Sequence, residues 1–299
     1  MNQNSAINAG SADNAASAGT IQLGDRTVNR LGYGAMRITG PGVWGPPADR
    51  NAAIATLRRV IELGVNFIDT ADSYGPNVSE ELIAEALFPY PQGLVIATKG
   101  GWEREGPGVW QHNASPKHLE AAVEGSLKRL RVDQIDLYHL HIPDPAVSFD
   151  ASMETLARLR EQGKIRHLGL SNVTMEHVER ARKTVPIVSV QNRYSFADRE
   201  WDYLVDHCER EGIAFVPWAP LGQNLQAHAV IDGVAKELGW TSLQVALAWL
   251  LQRSPIMLPI PGTSSVAHLE ENVKAAALTL PVDAVRKLTA FTPAPFSLR

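Results

Sequence analysis

Eight short apolar runs punctuate the chain after residue 30: LGYGAM from Leu31, VNFIDT from Val65, LVIATK from Leu94, QIDLYHLH from Gln134, IRHLGLSN from Ile165, IVSVQN from Ile187, IAFVPW from Ile213 and IMLPIP from Ile256. Each is too short for a helix and too continuously apolar for an exposed edge, the pattern of parallel strands covered on both faces. Amphipathic segments lie between them. RNAAIATLRRVIELG carries Ile54, Leu57 and Ile61 on one stripe and stops at Gly64. SPKHLEAAVEGSLKRL opens with Ser115 as N-cap and Pro116 at the first position, with Leu119, Val123 and Leu127 in line. SMETLARLREQG ends at Gly163, and TSLQVALAWLLQR begins at a Thr241 cap. Ahead of the first run, TIQLGDRTVNR turns at Gly24 and Asp25, a hairpin signal. Eight strand–helix units without a breaking linker predict a closed (β/α)8 barrel. An open dinucleotide-binding sheet fits less well, because Gly32 and Gly34 lack the third glycine and the helix start that its fingerprint needs.

In such a barrel the active site lies at the C-terminal strand ends. Those ends are polar here: Asp69, Lys99, His141, Ser171 with Asn172, Gln191 with Asn192, Trp218, and the GTSS opening at Gly262 to Ser265. Because residues i and i+2 share a face of a strand, Phe67 pairs with Asp69, Val95 and Ala97 with Lys99, Leu137 and His139 with His141, and Ile187 and Ser189 with Gln191. If the apolar members fill the barrel, the terminal ones point into a pocket above it. Tyr74 follows Asp69 by five positions. Asp69, Tyr74, Lys99 and His141 together suit the protonation of a carbonyl oxygen while a hydride reaches the carbon. An adjacent ammonium is expected to lower the tyrosine's pKa, Asp69 to hold that ammonium, and His141 to donate a hydrogen bond to the substrate oxygen. No serine or cysteine is placed to form an acyl intermediate.

FIDTADSYG, IATKG, DLYHLHIPD, IRHLGLSN, VQNRYS, VPWAPLG and IPGTSSVAHLEEN, in that order and spacing, resemble the aldo-keto reductase superfamily over about residues 20 to 290. VNRLGYGAMRITGPGVWGPPADR resembles the bacterial branch that includes pyridoxal reductases. The resemblance implies a (β/α)8 TIM barrel with an N-terminal β-hairpin capping the barrel bottom and extra helices near the C-terminus. It implies that Asp69, Tyr74, Lys99 and His141 are catalytic, with tyrosine as the general acid. Ser171, Asn172 and Gln191 would hold the nicotinamide carboxamide, Trp218 would stack on its ring where tyrosine is commoner, and Leu221 and Gly222 would approach the pyrophosphate. Gly262, Thr263, Ser264, Ser265, His268, Glu271 and Asn272 would surround the adenosine and its 2′-phosphate. Many relatives carry a lysine at the position of Gly262 and an arginine at that of His268, so two cationic contacts are missing here. The serines at a helix start still favour phosphate, and NADPH is expected ahead of NADH. No metal is implied.

Two Gly- and Pro-rich loops, TGPGVWGPP and GGWEREGPGVWQHN, should overhang the mouth and bring Trp44, Trp102 and Trp110 to a substrate pocket suited to flat aldehydes, pyridoxal included. Glu103, Arg104 and Glu105 read as a solvated rim. The formal net charge of −4, with both signs interspersed, gives no reason to expect nucleic acid or an anionic membrane as partner. No apolar run reaches the length of a membrane span. The single cysteine, Cys208, excludes an intrachain disulfide and suits a reducing, cytoplasmic setting. Residues 1–19, rich in Asn, Ala, Ser and Gly, read as a disordered tail ahead of one barrel domain over 20–299. The expected partners are a nicotinamide cofactor and a small carbonyl compound, for a monomer or weak homo-oligomer. The competing enzyme class is a metal-dependent hydrolase using the His139 and His141 pair. A cofactor-binding regulatory barrel without turnover is the non-enzymatic alternative.

Overall fold

Every predicted apolar run becomes a stave of a barrel. The computed structural model describes residues 14–220, 222 and 225–291. After the antiparallel hairpin β1 (Thr20–Leu23) and β2 (Arg26–Asn29), seven parallel staves follow: β3 (Tyr33–Gly34), β4 (Phe67–Asp69), β5 (Val95–Gly100), β8 (Ile135–Leu140), β9 (Ile165–Ser171), β10 (Ile187–Gln191) and β11 (Ala214–Phe215). Between β5 and β8 lie β6 (Trp102–Gly106) and β7 (Val109–His112), an antiparallel pair of their own.

The eighth run closes the ring without forming a regular strand. Phe215 bridges Met257 in parallel, Leu258 N–H donates to Phe215 O at 2.9 Å, and on the other side Gly32 N–H donates to Pro259 O at 2.9 Å. Pro259 and Pro261 have no N–H to give, so this stave accepts more than it donates and escapes a regular ladder. The result is a closed (β/α)8 barrel.

Inside it, Phe67, Val95, Ala97, Leu137, Ala214, Val216, Leu258 and Ile260 form one apolar cluster. The alternation predicted for β4, β5 and β8 is therefore correct. At β10 it slips: an irregularity between Ile187 and Ser189 turns Val188 toward this cluster and leaves Ile187 in the outer layer beneath the helices.

Leu23 and Val28 of the first hairpin join the same cluster from below. Arg26 pairs with Asp136 at the start of β8 at 2.6 Å, which fixes the hairpin across the barrel bottom. The helices start where their caps predict. Helix Pro116–Leu130 has Ser115 Oγ accepting from His118 N–H, and helix Ser242–Arg253 has Thr241 in a reciprocal capping box with Gln244. Near the C-terminus, helices Val266–Lys274 and Val282–Ala290 are the expected additions.

Two readings need correction. Residues 14–19, assigned to the disordered tail, are packed: Asn14 caps a short 3-10 helix, Ala15–Ala18, and Ala15 is fully buried with its N–H on Leu63 O at 2.9 Å. Small alanines and a capping asparagine suit this seat against Gly64, where a side chain would strike Asn14. Residues 1–13 lie outside the described residues. The GGWEREGPGVWQHN loop is the β6–β7 hairpin, reversing at Pro107 and Gly108; Gly108 takes a left-handed φ of 71° there. Among the described residues no helix is long and apolar enough to cross a membrane.

Candidate active site

At the mouth, β5 delivers Lys99, fully buried, and β4 delivers Asp69 beside it. An ammonium has three protons, and each finds an acceptor: Asp69 Oδ2 at 2.7 Å, Thr70 O at 2.7 Å and Tyr74 Oη at 3.4 Å. Since Tyr74 Oη receives from Lys99, its own proton is directed elsewhere, toward the cavity it lines. The other carboxylate oxygen, Asp69 Oδ1, accepts from Gln191 Nε2 at 2.8 Å. The His141 ring meets that of Tyr74 edge-on with centroids 5.9 Å apart, and Ser73 Oγ lies 3.5 Å from His141 Nδ1.

Burial sets the electrostatics. It opposes charge on Lys99, but Asp69 and Tyr74 outweigh it and raise the ammonium's pKa above its ordinary value. Burial also raises the Tyr74 phenol; the nearby Lys99 charge lowers it, without cancelling the effect. Lys99 thus lowers this pKa in the expected direction, but the net shift is upward, because desolvation of a phenolate exceeds what one shared ammonium returns. His141 is held well below the usual imidazole range by burial, then by the Lys99 charge and by His139, so it stays neutral. A neutral imidazole has one N–H to donate.

The cavity has a volume of about 550 Å³, within the usual range for a small-molecule site. Asp69, Tyr74 and His141 line it together with Ser171, Asn172, Gln191, Trp218, Gly222 and Gly262, and Trp102 and Trp110. Asn172, in the left-handed region at φ 56°, donates through Nδ2 to His141 O at 3.0 Å and accepts from Trp218 Nε1 at 3.2 Å. Asparagine tolerates that backbone better than most residues. Its amide is thereby committed to protein partners, whereas the Ser171 hydroxyl proton and Gln191 Oε1 remain to face a ligand.

The remaining predicted residues lie further out. Beyond Gly262, Thr263 Oγ1 accepts from Ser265 N–H at 3.0 Å, Ser265 caps helix Val266–Lys274, Ser264 and His268 are exposed, and Glu271 is half-buried on that helix. Asn272 is 3% exposed, and its Oδ1 has no hydrogen-bond partner. Leu221 lies outside the described residues. Trp44, on the 40–45 loop, does not line the cavity: its backbone bridges Gly75 and its ring lies beside Arg104. His139 turns its Nε2 to Ser189 Oγ at 2.9 Å, away from a shared point with His141. Among the described residues no three His, Cys, Asp or Glu side chains gather as metal ligands.

Sequence reasoning missed Met36, Arg37 and Ile142, which also line the cavity. Each stands just past a strand end, a zone that a reading of strand termini alone leaves out. Arg37 matters because a Cβ at Gly262 would come within 2.7 Å of Gly34 O. The backbone there has no room for the lysine of relatives, and the Arg37 side chain passes the same spot, its Cγ 3.6 Å from where that Cβ would stand.

Behind Lys99 lies a further acid. Asp72 is 8% exposed, its Oδ1 has no hydrogen-bond partner, and its pKa is pushed up from 3.8 to about 8, first by burial and then by the Glu80 carboxylate. The folded state therefore keeps a proton that the unfolded chain releases above pH 3.8. Stability should fall with rising pH across that window, by at most about 1.4 kcal/mol per pH unit from this group, and level off above about pH 8. Asp72→Asn should flatten the slope. Urea unfolding of both proteins at about pH 5 and about pH 8 checks it; identical slopes would refute the assignment.

Residues 30–292 match the aldo/keto reductase family. An uncharacterized oxidoreductase of Schizosaccharomyces pombe is 51% identical over 282 residues, covering 94% of this chain and 92% of the relative. Pyridoxine 4-dehydrogenase of Escherichia coli is 50% identical over 272 residues, covering 88% and 95%. An aldo-keto reductase from Klebsiella pneumoniae, solved in complex with NADPH, superposes with a TM-score of 0.77 at 26% identity, over 90% of this chain and 93% of its own. With motifs, barrel and strand-end polar cluster in agreement, the chain belongs to the aldo/keto reductase family.

Proposed function

We propose that the protein reduces an aldehyde or ketone to an alcohol with NAD(P)H, and that Tyr74 delivers the proton. The observation that carries this reading is the buried Lys99 ammonium bonded to both Asp69 and Tyr74 Oη, two residues that line the cavity. Bound nicotinamide supplies the hydride. Tyr74 donates its proton to the carbonyl oxygen as charge develops there, and Lys99 stabilises the phenolate left behind. Neutral His141 donates a hydrogen bond to the same oxygen and fixes its orientation. Asp69 keeps the ammonium in place, and Gln191 keeps Asp69 in place.

The residues present fit the cofactor. Ser171 O–H and Gln191 Oε1 offer a donor and an acceptor, the pair that a carboxamide needs, and the half-buried Trp218 offers an aromatic face. The unsatisfied Asn272 Oδ1 marks a polar contact awaiting a donor. Gly222 and the Leu221 backbone are assigned to the pyrophosphate. Arg37 at the rim supports NADPH ahead of NADH despite Gly262 and His268, as does the NADPH complex of the Klebsiella relative.

The aromatic wall of Trp102 and Trp110 and the 50% identity to pyridoxine 4-dehydrogenase support a flat aromatic aldehyde such as pyridoxal as substrate. The protein is read as one barrel domain that takes in the packed residues 14–19 at its start, cytoplasmic, a monomer or weak homo-oligomer, with no nucleic acid or membrane partner. Fluorescence titration should show NADPH binding more tightly than NADH, and a panel of aldehydes and ketones should then oxidise NADPH, pyridoxal among them. Tighter NADH binding would overturn the preference; no turnover with any carbonyl compound would overturn the reaction.

A further inference from the structure

We propose that Arg104 is a positioning residue that clamps the β6–β7 hairpin and the 40–45 loop onto the backbone next to Tyr74, and so sets selectivity for flat aromatic carbonyl compounds. The inference rests on the reading of the cavity as a carbonyl reductase site. In the sequence Arg104 sits between two glutamates and resembles a solvated rim residue. In the structure its partners are carbonyls.

A guanidinium has five N–H groups, and all five are used. Nε donates to Val109 O at 2.8 Å, Nη1 to Val43 O at 3.1 Å and Ser73 O at 3.0 Å, and Nη2 to Gly42 O at 3.0 Å and Gly106 O at 3.4 Å. Three separate backbone segments meet at one side chain: the 40–45 loop, the hairpin itself, and the residue preceding Tyr74. No carboxylate pairs with Arg104 among the described residues, so the cation serves as a fan of donors and gains little from ion pairing. Its Cζ also lies 3.7 Å from the Trp110 ring centroid.

Two backbone links show what is clamped. Gly108 N–H donates to Gly42 O at 3.2 Å, which seats the hairpin tip on the loop, and Gly45 N–H donates to Gly75 O at 2.6 Å, which seats the loop beside Tyr74. A two-stranded hairpin is marginally stable alone. Trp102 and Trp110 project from it, 5.7 Å apart edge to face, and Trp102 approaches the His141 ring at 6.3 Å. The aromatic wall beside His141 therefore depends on a hairpin that Arg104 ties down. Tyr74 does not depend on it in the same way, because its own N–H bonds Ala71 O and its Oη receives from Lys99. Loss of Arg104 should loosen the wall and spare the proton donor.

The test compares wild type, Arg104→Ala and Arg104→Lys with benzaldehyde, which must stack on the wall, and propanal, which is too small to need it. Arg104→Ala should raise the KM for benzaldehyde about tenfold or more, with kcat and the propanal KM changed by less than about threefold. NADPH affinity should be unchanged. Arg104→Lys, with three donors on one atom, should recover part of the loss. In the NADPH-bound proteins, hydrogen exchange in residues 40–45 and 102–112 should rise together in Arg104→Ala. Equal losses on both aldehydes, a fall in kcat alone, or no change would overturn the proposal. If wild type reduces neither aldehyde, the proposed function fails, and exchange still decides on the clamp: unchanged protection in both segments rejects it. If Arg104→Ala does not fold, Arg104→Lys carries the same comparison.

Discussion

Replacing Tyr74 by phenylalanine should lower kcat for carbonyl reduction by about 10²- to 10⁴-fold, the range that a lost general acid costs, while NADPH affinity stays within about twofold. The ring fills the same space, so packing against His141 is retained. What disappears is the one O–H that lines the cavity and accepts from Lys99. Burial raises the pKa of this phenol, so it is fully protonated at neutral pH and ready to donate; Lys99 assists by lowering the cost of the phenolate that remains. Steady-state kinetics with a fluorescence titration check both halves. Normal turnover by the variant would place the proton donor elsewhere.

Lys99→Met should be the most damaging substitution for stability as well as activity. Both members of the Lys99 and Asp69 pair are essentially excluded from water. Removing the cation strands a buried carboxylate that keeps one neutral donor, Gln191, and breaking such a pair typically costs about 3–5 kcal/mol. Adding Asp69→Asn should restore much of that stability, since the amide oxygen still accepts from Gln191 and no charge is left to bury. It should restore no activity, because the phenolate still lacks its ammonium. Denaturant unfolding of the two single variants and the double variant measures the coupling. Additive losses would show that the pair does not interact as the geometry implies.

Strand ends told most of the story in advance, because a parallel barrel leaves little choice about where polar residues at the end of an apolar run can go. Asp69, Lys99, His141, Ser171 and Gln191 all reached one mouth for that reason. The sequence could not show how they would be shared. Gln191 looked like a ligand contact and half of its amide serves Asp69; Asn172 is spent on His141 and Trp218. These links depend on rotamers and on a left-handed backbone at one residue, neither of which has a periodicity to read.

Loops were the harder part. EGPGV carries an obvious turn signal, yet the hairpin flanking it is too short and too polar to announce itself, and Arg104 gave no hint that five carbonyls would gather around it. Trp44 and Trp102 looked equivalent in sequence, yet of the two Trp102 lines the cavity, while the Trp44 backbone bridges Gly75. The IMLPIP run was recognisable as a stave, while its prolines explain why it closes the barrel through scattered bonds.

In the proposed reaction a hydride reaches the carbonyl carbon and Tyr74 supplies the proton. Incubating the protein with pyridoxal or benzaldehyde and NADPH deuterated at both C4 positions tests it directly, with mass spectrometry of the alcohol. One deuterium is expected on the carbinol carbon with wild type, formed at least about 100-fold more slowly with Tyr74→Phe. An alcohol without deuterium, or label appearing equally fast with the variant, would contradict it.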